Sequence, residues 1–385
     1  MKPAFVIRHS LFFALLLCTA WPAEEMTAYR YGGSARASVF LGKYDEALDS
    51  FNRSIALKPD PVIYSQRGDL KAKLKDFAGA IADYDKAIAL KPNDLASYYG
   101  SRGGINSQSG NYDRAIADYD QVISLQPDQA VAYNNRGVAR SSKGDYDGAI
   151  ADYAKAIALE PANVVFYANR AGSYLSKGNL DRAITDYDQI VRLEPDEASH
   201  YFTRADLKQQ KGDLDGTIAD YSEVCELMPE HVNSFFKLAI TRHAKGELEA
   251  ALTDYAKTLA LAKDAEAIVT VYREVALRQL RRSTPFAELV KTVAKWKDGW
   301  DKNIGLYLVD ALSGQALLTR ASEGNTKTVP ARLCSANYFI GMTKLLADDQ
   351  ATARKYFEQC VASGLINVDE FILARAELSR LTAKP

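Results

Sequence analysis

Small residues recur along the chain at a nearly constant interval. Ala47, Ala80, Ala115, Ala149, Ala183, Thr217 and Ala251 are separated by 33, 35, 34, 34, 34 and 34 positions. Four residues after each stands a ring: Phe51, Tyr84, Tyr119, Tyr153, Tyr187, Tyr221 and Tyr255. A second ring opens each period (Tyr31, Tyr64, Tyr99, Tyr133, Tyr167, Tyr201, Phe235), and four residues on comes Ala35, Gly68, Gly103, Gly137, Ala171, Ala205 or Ala239. The periods close near Pro59, Pro92, Pro127, Pro161, Pro195 and Pro229. Within a period, apolar positions recur twice at helical spacing around a break such as Gly144-Asp145-Tyr146. That pattern predicts a helix, a tight turn and an antiparallel helix. The small residues let the two axes approach, and proline ends the second helix because it cannot donate to the helical ladder. One such unit cannot bury its own apolar face, so the units must stack.

The opening ring, small residue, alanine, second ring and closing proline, in register over seven copies, resemble the tetratricopeptide repeat (TPR) family across residues 28–263. The resemblance implies an all-α, right-handed superhelical solenoid whose concave face is built by the first helix of each repeat. A degenerate eighth unit is expected within 334–385, where Gly341, Ala353 and Phe357 keep the phase, Asn337 replaces the opening ring, and a last amphipathic helix from Val368 to Leu381 caps the array. The stretch 264–333 breaks the period and reads as an irregular helical insert. In it, Thr284-Pro285 suits a helix start. Trp296 and Trp300, four apart, are expected on one face of one helix.

Charge follows the same period. The first helices carry Arg67, Arg102, Arg136, Arg170 and Arg204, and the second helices carry Asp83, Asp118, Asp152, Asp186 and Asp220. Repeat one has Ser34 and Ser50 in these places, whereas repeat seven has Leu238 with Asp254, a mismatch. The matched counts favour structural ion pairs that fix helix register over a rail of arginines for an anionic ligand.

In the family, certain first-helix positions line the ligand groove. Carried over here, they give Gln66 and Asp69 in repeat two, Ser101 and Gly104 in three, Asn134, Asn135 and Val138 in four, and Asn169 and Gly172 in five. Repeat six offers Phe202, Thr203 and Asp206, and repeat seven Phe236, Lys237 and Ile240. The centre of this groove is small, polar and uncharged, with asparagines that both donate and accept. It suits the backbone of an extended peptide, with an apolar patch towards Phe202, Phe236 and Ile240. The basic residues of a carboxylate clamp are missing at Gly100, Gly104, Val165 and Ser199.

Composition adds limits. The chain has 48 Lys+Arg against 49 Asp+Glu, no footprint for nucleic acid or an anionic membrane. Lys2 and Arg8 precede the apolar run Leu11 to Leu17 and the small Cys18 and Ala20, so residues 1–20 read as a signal peptide cleaved after Ala20. We therefore expect an exported protein of bacterial type, periplasmic or secreted. A lipidated Cys18 ranks lower, because Leu17 stands where a lipobox needs a small residue.

Cys225, Cys334 and Cys360 remain after cleavage. The last two fall at neighbouring ends of a helical hairpin, where a disulfide is geometrically allowed and would be worth about 3 kcal/mol. Cys225 falls at a core phase. His200, His231 and His243 lack metal-ligand spacing, and no nucleophile elbow or phosphate loop is present. Arg273, Arg278, Arg281 and Arg282 form a basic stretch read as a solvated helix face. The expectation is a scaffold or adaptor of the cell envelope, without catalysis or cofactor, that binds other proteins or peptides. The alternatives are a self-associating structural protein, as a homo-oligomer, and an enzyme with its chemistry in the insert.

Overall fold

The computed structural model describes residues 22–262 and 266–383; segment 1–20, expected from the sequence to be a signal peptide, and Cys18 within it lie outside them. Every regular element among the described residues is a helix. The described residues divide into two compact blocks, one up to residue 179 and one from residue 180 on. In the N-terminal block, α1 (Ala23–Phe40) pairs with α2 (Tyr44–Leu57), α3 (Pro61–Lys73) with α4 (Phe77–Ala89), α5 (Leu95–Gln108) with α6 (Tyr112–Leu125), and α7 (Ala130–Lys143) with α8 (Tyr146–Leu159). The block ends with α9 (Val164–Ser176). These pairs are repeats one to four and the first helix of repeat five.

The repeated break encodes the turn. One or two residues past each first helix of the seven regular repeats the backbone turns left-handed, at Gly42, Gly110, Gly144, Gly178, Gly212 and Gly246, with a side chain there only at Lys75, φ 65°. The aspartate after it caps the second helix: Asp76 accepts from the Gly79 N–H at 2.9 Å and Asp145 from the Gly148 N–H at 3.0 Å. At the other end the residue before the closing proline is extended, as Lys58 is at φ −147°, so the helix stops there. The small residues stand where the helices touch. A Cβ on Gly137 would lie 2.8 Å from the Tyr153 ring.

The arginine–aspartate rows close within single repeats. Arg136 grips Asp152 with two bonds of 3.0 and 2.6 Å, and Arg67–Asp83, Arg102–Asp118 and Arg204–Asp220 repeat that fork. The aspartates are buried. Each arginine also lies over the ring three residues before it, at 5.4–5.6 Å in these four repeats. Arg170 lies over Tyr167, and its counterpart Asp186 belongs to the other block.

A third contact was not foreseen. The remaining guanidinium nitrogen reaches back to the second helix of the preceding repeat: Arg67 to Asn52 at 2.6 Å, Arg102 to Asp85 at 2.5 Å, Arg136 to Asp120 at 2.5 Å and Arg204 to Asp188 at 2.9 Å. Each arginine thus ties three helices. The residue four further on adds a second cation or amide to the aspartate, as Lys71, Asn106, Arg140 and Lys208 do. In repeat seven that position takes over completely: Arg242 meets Asp254 at 2.6 Å, which removes the expected mismatch at Leu238. An outer row of exposed pairs joins successive repeats as well, Lys143 to Asp113, Lys177 to Asp147 and Lys245 to Asp215.

The C-terminal block starts with α10 (Leu180–Leu193) and the pairs α11 (Ala198–Lys211) with α12 (Leu214–Leu227) and α13 (Val232–Lys245) with α14 (Leu248–Leu261). Four helices follow in the insert: α15 (Glu266–Gln279), α16 (Phe286–Lys295), α17 (Trp300–Leu308) and α18 (Gly314–Ser322). The helix after Thr284-Pro285 begins at Phe286, one residue later than the sequence suggested. The two tryptophans do not share a helix. Trp296 follows the end of α16 with ψ 147° and is buried, while Trp300 opens α17 and donates to the Ser335 hydroxyl at 3.2 Å.

The last pair is α19 (Val329–Leu346) with α20 (Gln350–Val361), so its first helix starts before Cys334. A Cβ on Gly341 would meet the Phe357 ring at 2.7 Å, the same close approach as in the regular repeats. Cys334 and Cys360 form a disulfide across this pair, with Cα atoms 4.2 Å apart, and Cys225 is a buried free thiol. One core, from Ala239 to Ala374, unites α13 to α17 with α19 to α21 (Asp369–Ala383).

Removing the arginine fork should destabilise the fold directly. We expect Arg136→Ala to cost about 3 kcal/mol in denaturant unfolding, the low end for breaking a buried pair, because Arg140 stays on Asp152. An Arg136→Ala chain with unchanged stability and altered partner binding would refute the structural role.

Candidate functional site

In the N-terminal block the stapled first helices α3, α5, α7 and α9 present the expected groove positions, and the structure sorts them by what they have left to offer. Between repeats three and four lies an open cavity of about 240 Å³, floored by Tyr119 and Val122 and edged by Gly100, Ser101, Gln129 and Asn135. Ser101 is exposed at its rim. Asn134 is buried and works behind the surface: it accepts from the Asn169 amide at 2.8 Å and donates to the Asn135 carbonyl oxygen at 3.2 Å. This relay orients Asn135, whose own amide N–H groups donate to nothing among the described residues. Gln66 sits two repeats earlier and accepts from Arg36 at 3.4 Å. Asp69 accepts a hydrogen bond from the Tyr84 hydroxyl at 2.5 Å.

In the C-terminal block the expected apolar patch is packed against its neighbours, with Phe202 and Phe236 half-buried. Phe236 packs between Tyr255 and Tyr272, and Ile240 is fully buried. Phe202 packs edge-on to Tyr221 and His231, and the Thr203 hydroxyl donates to the Ser199 carbonyl of its own helix. The terminal helix adds its own cover to α13. Rather than only ending the array, α21 lies along α13. Asp369 meets Lys237 at 2.9 Å, Arg375 donates to the Gln209 carbonyl at 3.2 Å, and Arg380 donates to the Ala244 carbonyl. The two arginines thereby sit at the carbonyl ends of α11 and α13, where a cation is favoured. A sequence reading could have found this only from the charges Glu370, Arg375, Glu377 and Arg380 among apolar residues of the last helix.

A closed polar chain locks this helix in place. His243 is buried, with Nδ1 3.2 Å from the Tyr255 hydroxyl and Nε2 2.7 Å from the Gln279 carbonyl oxygen. The Gln279 amide donates to Glu377 at 3.0 Å, Glu377 pairs with Arg380, and Arg380 returns to the end of α13. Burial, with Gln279 opposing it, pushes His243 down to about 4. Burial and the adjacent Asp369 push Glu370 up to about 6, against its contacts with Ser335 and Tyr272. The remaining histidines serve local contacts, His200 to Glu194 at 2.6 Å and His231 to Ser234 at 3.1 Å. No set of three or more metal-ligating side chains converges among the described residues. In the basic stretch, Arg278 pairs with Glu274 and Arg282 with Glu249. No described helix is long and apolar enough to cross a membrane.

Comparison with known proteins agrees with the geometry. Profiles described as "Tetratricopeptide repeat" match residues 33–94, 130–163 and 168–227, and a "TPR repeat" profile matches 106–141. Over 72 residues the chain is 33% identical to "Sperm-associated antigen 1" of Rattus norvegicus and of Mus musculus; the match takes in 19% of this chain and 8% of theirs. The C-terminal part of a TPR repeat-containing protein from Cytophaga hutchinsonii superposes with a TM-score of 0.52 at 19% identity, over 60% of this chain and 96% of that one. A tetratricopeptide repeat protein from Parabacteroides merdae gives 0.45 at 18% identity, over 65% and 99%. The chain is a tetratricopeptide-repeat protein. The curated relatives share less than a tenth of their length with it, so their activities do not transfer.

The two buried titrating groups oppose one another. A depressed histidine contributes stability above its free value of 6.5 that is lost as pH falls towards 4, about 3 kcal/mol. A raised carboxyl contributes below its free value of 4.5 and loses that as pH rises through 6, about 2 kcal/mol. Acidification from pH 6.5 to 4 should therefore destabilise the C-terminal block modestly in the native chain. It should do so more strongly in Glu370→Gln, and not at all through this site in His243→Gln. Denaturant unfolding at both pH values checks the order; equal acid sensitivity in all three chains would contradict it.

Proposed function

We propose that this protein is an exported interaction scaffold whose N-terminal block holds an extended segment of another protein along α3, α5, α7 and α9. The observation that carries the reading is the Asn169–Asn134–Asn135 relay. It holds an unused amide donor over an open cavity of about 240 Å³ in a groove whose stapling arginines already face carboxylates. Such a surface offers hydrogen bonds to peptide backbone without demanding a charged side chain. No catalytic step is assigned to it. Export rests on the basic start, apolar run and small residues of 1–20. The buried Cys334–Cys360 disulfide supports an oxidising compartment.

Crosslinking and recovery of partners from the cell envelope, with the native chain and with Asn135→Ala/Asn169→Ala, tests the groove. We expect the double variant to keep its unfolding free energy within about 1 kcal/mol and to lose the recovered partners. Equal recovery by both chains would refute the groove. Amino-terminal sequencing of the exported protein should begin at Trp21; an intact Met1 would overturn export with cleavage.

A further inference from the structure

Most cations on the first helices of the N-terminal block are spent internally. Arg67, Lys71, Arg102, Arg136, Arg140 and Lys143 each face a carboxylate. Arg30, Arg36 and Lys73 do not. Arg36 reaches only the Gln66 amide oxygen, and Lys73 lies over the Tyr44 ring at 4.9 Å; neither meets a carboxylate among the described residues. Both are exposed, and both edge one cavity of about 270 Å³ between repeats one and two. Its floor is Val39, Phe51 and Leu70. The acid at its edge, Asp69, accepts from the neutral Tyr84 hydroxyl, and the two cations outnumber it at the rim.

An apolar hollow of side-chain size between two unpaired cations selects for a particular neighbour. We propose that this cavity is the specificity pocket of the groove. It takes an apolar side chain of about leucine size from the bound segment, and Arg36 and Lys73 read an acidic residue beside it. The inference rests on the groove reading and adds the chemistry of the partner to it. In an extended strand, residues two apart face the same way, so an apolar residue in the hollow carries its second neighbour to the basic rim. The polar cavity near Asn135 contributes backbone contacts without selection; the pocket at Arg36 and Lys73 supplies the choice.

The test uses the full chain and blocked, fluorescent heptapeptides with the core Gly-Ser-Leu-Ser-Glu-Ser-Gly. Alanine replaces the leucine in a second peptide, and lysine replaces the glutamate in a third. Fluorescence polarisation should rank the Leu/Glu peptide about tenfold tighter than either of the others, the size expected for one filled hollow or two rim charges. Because both cations are exposed, Arg36→Glu/Lys73→Glu leaves the fold intact and should invert the preference towards the lysine peptide. Equal affinity for the three peptides, or an unchanged ranking in the variant, overturns the pocket. If no peptide binds while Asn135→Ala/Asn169→Ala still loses its envelope partners, the pocket alone falls; if neither effect is seen, the groove falls with it.

Discussion

A buried carboxylate held by a forked guanidinium is the interaction on which this architecture turns. A repeat array has no shared core, so its integrity is the sum of contacts between neighbours. Arg102, Arg136 and Arg204 supply such contacts in three directions: both helices of their own repeat, and an aspartate on the helix before. The fork explains the residue type. Only a planar group can give two parallel bonds to one carboxylate and still keep a nitrogen for the next acid; lysine is a point charge. Small residues such as Gly137 set the helices close enough for that reach, and rings such as Tyr153 fill the space left.

The same constraint shapes the surface available for binding. An arginine pinned in this way adds no free charge to the groove, so the central first helices expose polar side chains and little else. Where the supply of acids fails, at Arg36 and Lys73, the surface regains charge. In the C-terminal block the inner positions are used differently. There the terminal helix takes the inner side of α13, fastened by Lys237–Asp369 and by two arginines at helix ends. Its buried ring of His243, Gln279 and Glu377 fixes a single way of docking, since each group's partner is specified by the next.

The repeats were legible because every position repeats its reason. One alanine could be chance; Ala47 through Ala251 in step with Phe51 through Tyr255 could not. The pairing of Arg67, Arg102, Arg136 and Arg204 was readable from matched counts, but the third contact to Asp85, Asp120 and Asp188 needed geometry, although those acids share one phase. Arg242 was missed because the compensation came from a position four residues on. The tryptophans failed for a local reason: spacing of four implies one helix only if the backbone stays helical between them, and Trp296 is extended. Asn134 and Phe236 were assigned to the groove by phase alone. Phase gives the helix and the turn, not the neighbour, and neighbours bury Asn134 and pack against Phe236. The terminal helix against α13 is a contact between residues more than a hundred apart, which no local pattern encodes.

The central claim is that the arginine fork holds the repeats in register. A double-mutant cycle on Arg136 and Asp152, measured by denaturant unfolding with Arg136→Ala, Asp152→Ala and the double variant, addresses it most directly. The account predicts a coupling of about 2 kcal/mol or more, since the pair is forked and its carboxylate is buried. A coupling below about 0.5 kcal/mol, with the single changes simply adding, would contradict it.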